Sequence, residues 1–382
     1  MVVGGGCIHK TFKYRLYPTK EQISKLNETL WLCSVLYNQC LAERRDCWEF
    51  GGHSVTKYDQ MSRLPELRKL DERFAKVYAQ VLQDVVKRLD RTYGDFFRRV
   101  KNGEKAGYPR FKSARRYDSF TYPQMTKNLR FEGNKYNFPK IGEVKIKLHR
   151  PIEGKIKTVS FKREIDSWYV VFACELPDVE VVPSPLPPIG IDLGLKSFLV
   201  TSDGDSVDPP HFFRDAQAKL RRAQRHLSRC KKGSNRRKKA VKRVAKIHQH
   251  IANQRLDFHH KLSRDCVDSY GLIAHEDLNI KGITRTRLAK SVSDVGWASF
   301  LTKLQYKAEE AGVAVVKVDP RNTTQTCSQC GHIPDEKLTL SDRTYVCEKC
   351  GFTADRDYNA ALNILRLGLS RQALTVGIPA VA

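Results

Sequence analysis

The sequence predicts an α+β protein of several domains. The chain has 382 residues, and domains are commonly ~100–200 residues long, so two or three domains are expected. The first half passes from helical to β-rich patterns, a proline-rich segment follows at 181–188, and the second half alternates strands with helices. We therefore expect an N-terminal β-barrel with an inserted helical domain, and then a separate α/β domain.

The first element is a strand, and two long helices follow it. Lys10–Leu16 alternates, and Thr19-Lys-Glu-Gln22 has the pattern of a capping box. Apolar residues then recur at three- and four-residue steps from Ile23 to Cys40, and again from Phe74 to Phe96. This spacing predicts two amphipathic helices whose apolar faces pack in a core.

From Ser119 to Leu176 the pattern becomes β-rich. Four strands are predicted, with turns at Gly133-Asn134 and Pro151–Gly154. The predicted strands are Phe120–Tyr122, Leu129–Phe131, Val144–Leu148 and Trp168–Leu176. With the N-terminal strand they would form the barrel. Lys145 and Lys147 alternate with apolar residues, which suits either phosphate contact or an ordinary exposed strand face.

A different domain begins after the prolines. Ile189–Val200 predicts a buried strand pair, Leu272–Leu278 a short strand ending in acids, and Val313–Val318 another strand. Helices are expected at 214–230, 236–270 and 301–311, and a last one starts at Asp357. The first two helices would form a hairpin, because Lys232-Gly233-Ser234-Asn235 interrupts them.

The charge of the chain predicts a polyanionic partner. Lys and Arg number 68 against 42 Asp and Glu, a net charge of +26. More than half of this excess lies in the hairpin, because residues 214–264 carry +16 while residues 190–213 carry −3. Such a concentration favours nucleic acid as partner, with a solvated helix face as the alternative.

Neither export nor a membrane is indicated. No apolar run approaches the ~18–20 residues of a membrane span, and the N-terminus lacks the pattern of a secretory signal. Seven of the eleven cysteines are scattered without paired spacing, which is typical of reduced cytosolic thiols. We therefore expect a cytoplasmic protein without membrane contact.

The other four cysteines predict a structural zinc site. Cys327-Ser-Gln-Cys330 and Cys347-Glu-Lys-Cys350 are two C-x-x-C knuckles, each followed by a glycine. Two such knuckles complete a tetrahedral four-thiolate site, which leaves no position for a substrate. A redox dithiol, the alternative, needs only one C-x-x-C.

Three acids predict a second kind of metal site. Asp192 lies between glycines on a buried strand, Glu276 ends another strand, and Asp357 begins a helix. Strand, hairpin, strand, helix, strand, helix is the order of an RNase H-like sheet, in which such acids converge. Three adjacent carboxylates repel one another unless cations neutralise them, which favours two Mg²⁺ or Mn²⁺ ions that hydrolyse phosphodiesters. Asp277 is an alternative ligand to Glu276, and Asp355 is an alternative to Asp357.

These motifs resemble the TnpB proteins of insertion sequences, relatives of the compact type V CRISPR effectors. The resemblance covers nearly the whole chain and is strongest in its second half. It rests on Tyr14-Arg-Leu-Tyr17-Pro-Thr, Tyr37-Asn-Gln, Gly107-Tyr-Pro-Arg-Phe-Lys112, Gly190-Ile-Asp192-Leu-Gly194-Leu, the strand ending in Glu276, Asp319 to Gly331, Tyr345 to Phe352, and Asp355-Arg-Asp357-Tyr-Asn-Ala-Ala-Leu-Asn-Ile.

The resemblance implies a domain organisation. Residues 1–180 would be a wedge-like barrel with a helical recognition insertion at about 19–112, joined by the linker 181–188 to a RuvC-like nuclease domain. That domain would comprise 189–322 and 353–370, with the basic hairpin at 214–270 and the zinc ribbon at 323–352 inserted before its last helix. Residues 371–382 would be a tail.

The resemblance also implies an activity: an RNA-guided, Mg²⁺-dependent endonuclease with Asp192, Glu276 and Asp357 as catalytic metal ligands. Its partners would be one guide RNA from the transposon end and double-stranded target DNA, bound by a monomer in a bacterial or archaeal cell near the nucleoid. Eleven residues are candidate nucleic-acid contacts, although any of them could be an ordinary surface residue. They are Lys76, Gln80, Gln83, Tyr108, Arg110, Lys112, Arg236, Arg237, Lys238, Lys239 and Arg343.

Two other functions fit the same features. A transposase or resolvase-type nuclease would use the three acids without a guide RNA. A non-enzymatic regulator would bind nucleic acid through the zinc ribbon and the basic surfaces alone.

Overall fold

The computed structural model describes residues 8–124, 131–177, 185–339 and 342–376. The first half of the predicted linker (181–184) and the last six residues of the predicted tail lie outside these ranges, as do the first two residues of the strand expected at Leu129–Phe131. The chain divides into two compact units, Met1–Asp178 and Val179–Ala382. None of its described helices is long and apolar enough to cross a membrane.

The first unit contains one seven-stranded antiparallel sheet, ordered β2-β6-β7-β1-β5-β4-β3. The N-terminal strand β1 lies at its centre, paired with β5 and β7. The strands are β1 Ile8–Tyr17, β2 Ser119–Tyr122, β3 Phe131–Glu132, β4 Lys135–Phe138, β5 Gly142–Lys147, β6 Lys155–Glu164 and β7 Ser167–Leu176.

Aromatic contacts show that this sheet curls into a half-barrel. The rings of Phe138 on β4 and Phe161 on β6 are 4.6 Å apart, although three strands separate β4 from β6. Tyr136 and Phe172 are 5.5 Å apart, and the hydroxyl of Tyr122 donates to the carbonyl of Pro139. The edge strands β2 and β3 do not pair with each other in the described residues. Side chains rather than backbone hydrogen bonds therefore bring the two ends of the sheet together.

Helices fill the connection between β1 and β2. They are α1 Lys20–Gly51, α2 Lys57–Ser62, α3 Leu64–Leu70, α4 Glu72–Ala75 and α5 Ala79–Lys101. The predicted capping box is present, because Thr19 accepts a hydrogen bond from Gln22 and the Gln22 side chain accepts one from the amide of Thr19. The apolar stripe of α1 is buried with that of α5 in the core of this unit.

The second apolar stripe is not one helix. The prediction of a continuous helix from Phe74 to Phe96 is wrong, because α4 ends at Ala75 and α5 begins at Ala79. Tyr78 has extended backbone angles at the start of α5. The break lets both Phe74 and Val77 be buried, at 2% exposure each, and leaves Lys76 outside the helix that carries Gln80 and Gln83.

The second unit contains a five-stranded mixed sheet, ordered β10-β9-β8-β11-β12. The strand β8 is central, with antiparallel β9 on one side and parallel β11 on the other. The strands are β8 Pro188–Asp192, β9 Leu199–Thr201, β10 Ser206–Val207, β11 Leu272–Glu276 and β12 Ala314–Val318.

In the described residues of the second unit, six helices accompany this sheet. They are α6 Phe212–Arg229, α7 Asn235–Ser269, α8 Ile280–Ile283, α9 Ala289–Val295, α10 Trp297–Ala311 and α11 Arg356–Val376. The predicted basic hairpin corresponds to α6 and α7, which pack through a small apolar cluster of their own. Helix α11 extends to Val376, six residues into the segment predicted as the tail.

Candidate active site and metal centre

The three predicted acids lie on three elements that meet at one end of the second sheet. Asp192 is the last residue of β8, and Glu276 is the last residue of β11. These strands are parallel neighbours, and Ile191 of β8 pairs with His275 of β11. Asp192 and Glu276, the next residue of each strand, therefore lie side by side. Asp357 is the second residue of α11.

Helix α11 approaches the sheet closely because a glycine lies beneath it. At Gly190 of β8, an added Cβ would overlap the carbonyl oxygen of Ala361 and lie 2.6 Å from the backbone nitrogen of Leu365. Gly368 of α11 leaves similar room for Ala274 of β11. This glycine-mediated contact brings the start of α11 toward the ends of β8 and β11.

The electrostatics of the acids indicate mutual repulsion in a buried place. Asp192 is only 8% exposed, and burial, with the nearby charges of Glu276 and Asp357, raises its pKa to about 8. Burial also raises the pKa of Glu276. The positive charge of Arg356 has the opposite effect and lowers the pKa of Asp192. The Arg356 guanidinium also lies 3.1 Å from Oδ1 of Asp357.

Asp355 and Asp277, the two alternative ligands, make other contacts in the structure. Oδ1 of Asp355 accepts hydrogen bonds from the backbone amides of Asp357 and Tyr358, at 2.9 and 3.3 Å. It therefore caps the start of α11. Asp277 is exposed and lies 3.8 Å from Lys317. Glu276 and Asp357, rather than these neighbours, contribute to the raised pKa of Asp192.

The four predicted cysteines form a compact cluster. All four sulfurs lie within 4.8 Å of one another, with Cys327 and Cys350 at 3.7 Å and Cys330 and Cys347 at 3.5 Å. Sulfurs bound to one zinc ion through ~2.3 Å bonds are about 3.8 Å apart in a tetrahedron, whereas disulfide sulfurs are ~2.0 Å apart. The cluster is therefore compatible with zinc.

The two knuckles have matching backbones. The amide of Gly331 donates to the carbonyl of Cys327, and that of Gly351 to Cys347, both at 2.9 Å. Both glycines have left-handed φ values of +75° and +72°, which other residues rarely adopt. The strands β13 Thr344–Val346 and β14 Thr353–Asp355 pair beside the second knuckle. Strand β14 ends at Asp355, and α11 begins at the next residue.

Three polar residues beside the acids have no conspicuous pattern in the sequence. The hydroxyl of Thr323 donates to Oε1 of Glu276 at 2.5 Å, and the side chains of Asn359 and Asn363 bond to the loop that contains Thr323. All three are at most 2% exposed. The only signal in the sequence is that the two asparagines, four residues apart, occupy an otherwise apolar helix face.

The candidate nucleic-acid contacts of the basic hairpin differ in exposure. Arg236, Lys238 and Lys239 are exposed at the start of α7. Arg237 instead donates to the carbonyls of Leu227 and Cys230, so it joins the end of α6 to α7. Arg343 is exposed, and its carbonyl accepts a hydrogen bond from the amide of Arg356, next to Asp357.

The candidate nucleic-acid contacts of the first unit also differ in exposure. Lys76, Gln83 and Arg110 are exposed, whereas Gln80 is half-buried, with Nε2 3.4 Å from Oε1 of Gln124. Tyr108 is 45% exposed and its hydroxyl lies 2.9 Å from that of Tyr93.

Lys112 points inward. Its ammonium lies 4.4 Å from the centre of the Tyr37 ring, and its backbone exchanges two hydrogen bonds with Asn38. Burial lowers its pKa. This lysine therefore contributes to packing in the first unit.

Three family models match the chain. The model described as "Probable transposase" matches residues 171–287, and "Cas12f1-like, TNB domain" matches residues 297–364. The model described as "Helix-turn-helix domain" matches residues 7–53. Over the described residues of this match, 8–53, the structure has a strand and one continuous 32-residue helix, α1, in place of two helices joined by a turn.

Two relatives are similar over nearly their whole length. InsQ of Escherichia coli strain K12, provisionally named an RNA-guided DNA endonuclease, is 31% identical over 94% of this chain and 92% of its own length. A protein of Streptomyces pristinaespiralis with the same provisional description is 32% identical over 97% of this chain and 92% of its own length.

A solved structure has the same fold. The cryo-EM structure of a Cas12f1–sgRNA–target DNA complex matches with a TM-score of 0.60 at 18% identity, over 94% of this chain and 98% of that one. The α+β fold is thus that of a compact CRISPR effector. With the identity to the two full-length relatives and the motifs of its second half, this chain belongs to the TnpB family.

Proposed function

We propose that this protein is an RNA-guided DNA endonuclease that binds a guide RNA and cleaves matching double-stranded DNA beside a short flanking motif. The observation that carries the proposal is the convergence of Asp192, Glu276 and Asp357 at one end of a mixed sheet. The two relatives that match over more than nine-tenths of their length bear this activity in their names.

The sheet supports a RuvC-like, RNase H-like nuclease domain. Its central strand carries the first acid, its parallel neighbour the second, and the helix on its face the third. This is the arrangement expected of that fold from the order of elements in the sequence. A basic hairpin and a four-cysteine ribbon are insertions between these elements.

The acids fit hard divalent cations. Buried carboxylates with raised pKa values gain most when cations neutralise them, and oxygen ligands suit Mg²⁺ or Mn²⁺. Bound there, two divalent cations would polarise the phosphodiester and activate water.

The residues of the chain have distinct tasks in this proposal. Asp192, Glu276 and Asp357 would hold the cations, and Arg356 would keep the Asp357 carboxylate oriented through its 3.1 Å contact. Asp355 would fix the start of α11 through its two amide hydrogen bonds. The burial of Asp192 would exclude bulk water from one side of the site.

The partners in the proposal are a guide RNA and the target DNA. The exposed cations of α6 and α7 would contact phosphates, and base pairing to the RNA would supply sequence specificity. We propose one protein chain per RNA, acting in the cytoplasm of a bacterial or archaeal cell. The zinc ribbon would stabilise the chain beside Asp357 without entering the chemistry.

Removal of one acid tests the proposal. Asp192→Ala should abolish Mg²⁺-dependent cleavage of DNA matched to the bound RNA, while RNA and target binding remain within about twofold. Asp208→Ala, an exposed aspartate further along the same unit, should cleave at the parent rate. Cleavage by the Asp192→Ala variant at the parent rate would reject the proposed site.

The description "Probable transposase" favours a second candidate, a DNA nuclease that acts without RNA. Purification of the protein from cells carrying its native locus distinguishes the two. A discrete co-purifying RNA that is required for cleavage supports the first candidate. Cleavage at the same site and rate after complete removal of RNA supports the second.

A further inference from the structure

The loop between β12 and the first zinc knuckle reaches the candidate active site through Thr323. This residue is 2% exposed, and its hydroxyl lies 2.5 Å from Oε1 of Glu276. Within the described part of the chain, it is the one side-chain hydrogen-bond partner of that carboxylate. The hydroxyl also lies 3.1 Å from the carbonyl of Pro320, and its single proton can serve one acceptor at a time.

Two buried asparagines of α11 hold this loop. Nδ2 of Asn363 donates to the carbonyls of Thr323 and Thr326, at 3.0 and 2.7 Å. Nδ2 of Asn359 donates to the carbonyl of Thr326 at 2.8 Å, and its Oδ1 accepts from the amide of Ser328 at 3.0 Å. Oδ1 of Asn363 has no described hydrogen-bond partner. The bonds donated by the two buried Nδ2 groups nevertheless fix the loop and the helix to one another.

The same loop leads directly into the metal cluster. Cys327 lies between Thr326 and Ser328, the two residues that Asn359 binds, and it is fully buried. Asn359 is two residues after Asp357 on α11. Thr323, the first cysteine of the ribbon and the acid of α11 are therefore linked by a continuous set of hydrogen bonds and backbone.

The backbone of the loop has a defined turn. Asn322 has a left-handed φ of +59°, which asparagine tolerates better than most residues. Its carbonyl accepts hydrogen bonds from the amide and the hydroxyl of Thr326, at 2.9 and 2.8 Å. The turn thus presents the Thr323 side chain toward Glu276 and the following cysteine toward the cluster.

We propose that Thr323 is a positioning residue that orients the Glu276 carboxylate for cation binding, and that Asn359 and Asn363 tie this orientation to the zinc ribbon and to Asp357. The inference rests on the proposed function, in which Glu276 is a metal ligand. A donor at Oε1 leaves the other carboxylate oxygen available to a cation. Loss of such an orienting hydrogen bond commonly lowers metal affinity about 10–100-fold.

Binding of Mn²⁺ to the full-length, zinc-loaded chain tests this inference without relying on cleavage. Thr323→Val keeps the shape of the side chain and removes the hydroxyl, so we expect the Mn²⁺ affinity, measured by electron paramagnetic resonance, to fall about 10–100-fold. Thr323→Ser keeps the hydroxyl and should stay within about threefold of the parent. The matched control is Thr324→Val, because the neighbouring Thr324 has no described bond to Glu276.

A double variant separates positioning from general damage. Glu276→Gln should itself lower Mn²⁺ affinity, and adding Thr323→Val to it should change the affinity by less than about twofold, since the hydroxyl acts through that carboxylate. Equal affinities for Thr323→Val and Thr324→Val, with Glu276→Gln impaired, would overturn the inference and leave the proposed function intact. An unimpaired Glu276→Gln variant would overturn both.

Discussion

Gly190 of β8 lies directly beneath the backbone of Ala361 in α11, where a side chain of any size would overlap the Ala361 carbonyl oxygen. The two residues define how closely the helix that carries Asp357 approaches the strand that carries Asp192. The position of one candidate ligand relative to another therefore depends on a residue that has no functional group.

Gly190→Ala should displace α11 from the sheet. Overpacking of this kind typically costs about 1–3 kcal/mol, so we expect faster amide exchange in β8 and β11 and loss of most DNA cleavage. Hydrogen exchange followed by mass spectrometry measures the first effect. Gly107→Ala is the control, because nothing lies within 4 Å of the added Cβ there. Equal exchange in the two variants would contradict the close contact.

His259 predicts a pH dependence of stability. Its pKa is lowered to about 4, mainly by burial, and its Nε2 lies 2.8 Å from the carbonyl of Val295. An unfolded histidine has a pKa of ~6.5. Because the folded form binds the proton less well, its contribution to stability is complete above pH ~6.5 and is lost as the pH falls toward 4.

Thermal unfolding between pH 7 and pH 4 tests this contribution. His259→Gln should flatten the pH dependence of the free energy of unfolding by about 2–3 kcal/mol relative to the parent. His248→Gln, at an exposed position of the same helix, should follow the parent curve. If both variants follow that curve, His259 is not the group responsible.

Loss of the cysteine cluster should affect the neighbouring acids. Cys327→Ser is expected to lower the zinc content from about one ion per chain to near zero and to loosen the loop that contains Thr323. Elemental analysis and Mg²⁺-dependent cleavage are the measurements, and both should decrease. Cys47→Ser, outside the cluster, should retain zinc and activity. Retention of full zinc by Cys327→Ser would contradict the four-cysteine site.

Substitution of Arg236 should alter RNA binding, whereas substitution of its neighbour Arg237 should alter stability. Arg236→Gln removes an exposed cation, so the slope of log RNA affinity against log salt should decrease by about 1, with little change in stability. Arg237→Gln removes the hydrogen bonds to Leu227 and Cys230, so the melting temperature should fall instead. Identical behaviour of the two variants would contradict this division.

Much of the fold could be predicted from the sequence because the longer elements have strong periodic patterns. The sequence patterns of β4 and β6 do not indicate strands, for two physical reasons. β4 has only four residues, and β6 contains a register shift between Ile156 and Thr158. Such a bulge interrupts the alternation on which strand prediction depends.

Some residues of the candidate site could likewise be predicted from the sequence, and others could not. Asp192, Glu276 and Asp357 could be selected because carboxylates at strand ends and a helix start are conspicuous in an apolar context. Thr323, Asn359 and Asn363 could not, because a hydroxyl or amide acquires its role only from the partner that the fold places beside it. Arg237 could not be separated from Arg236, since adjacent identical residues differ only in the direction that the helix gives them.

The most direct test of the central claim is cleavage programmed by the bound RNA. The protein is loaded with its co-purified RNA, and the segment of that RNA that is not folded on itself is replaced by a new sequence. In Mg²⁺, cleavage should move to DNA matching the new sequence and should be absent from the Asp192→Ala variant. Cleavage that stays at the original DNA site, or that persists without Asp192, would contradict the account.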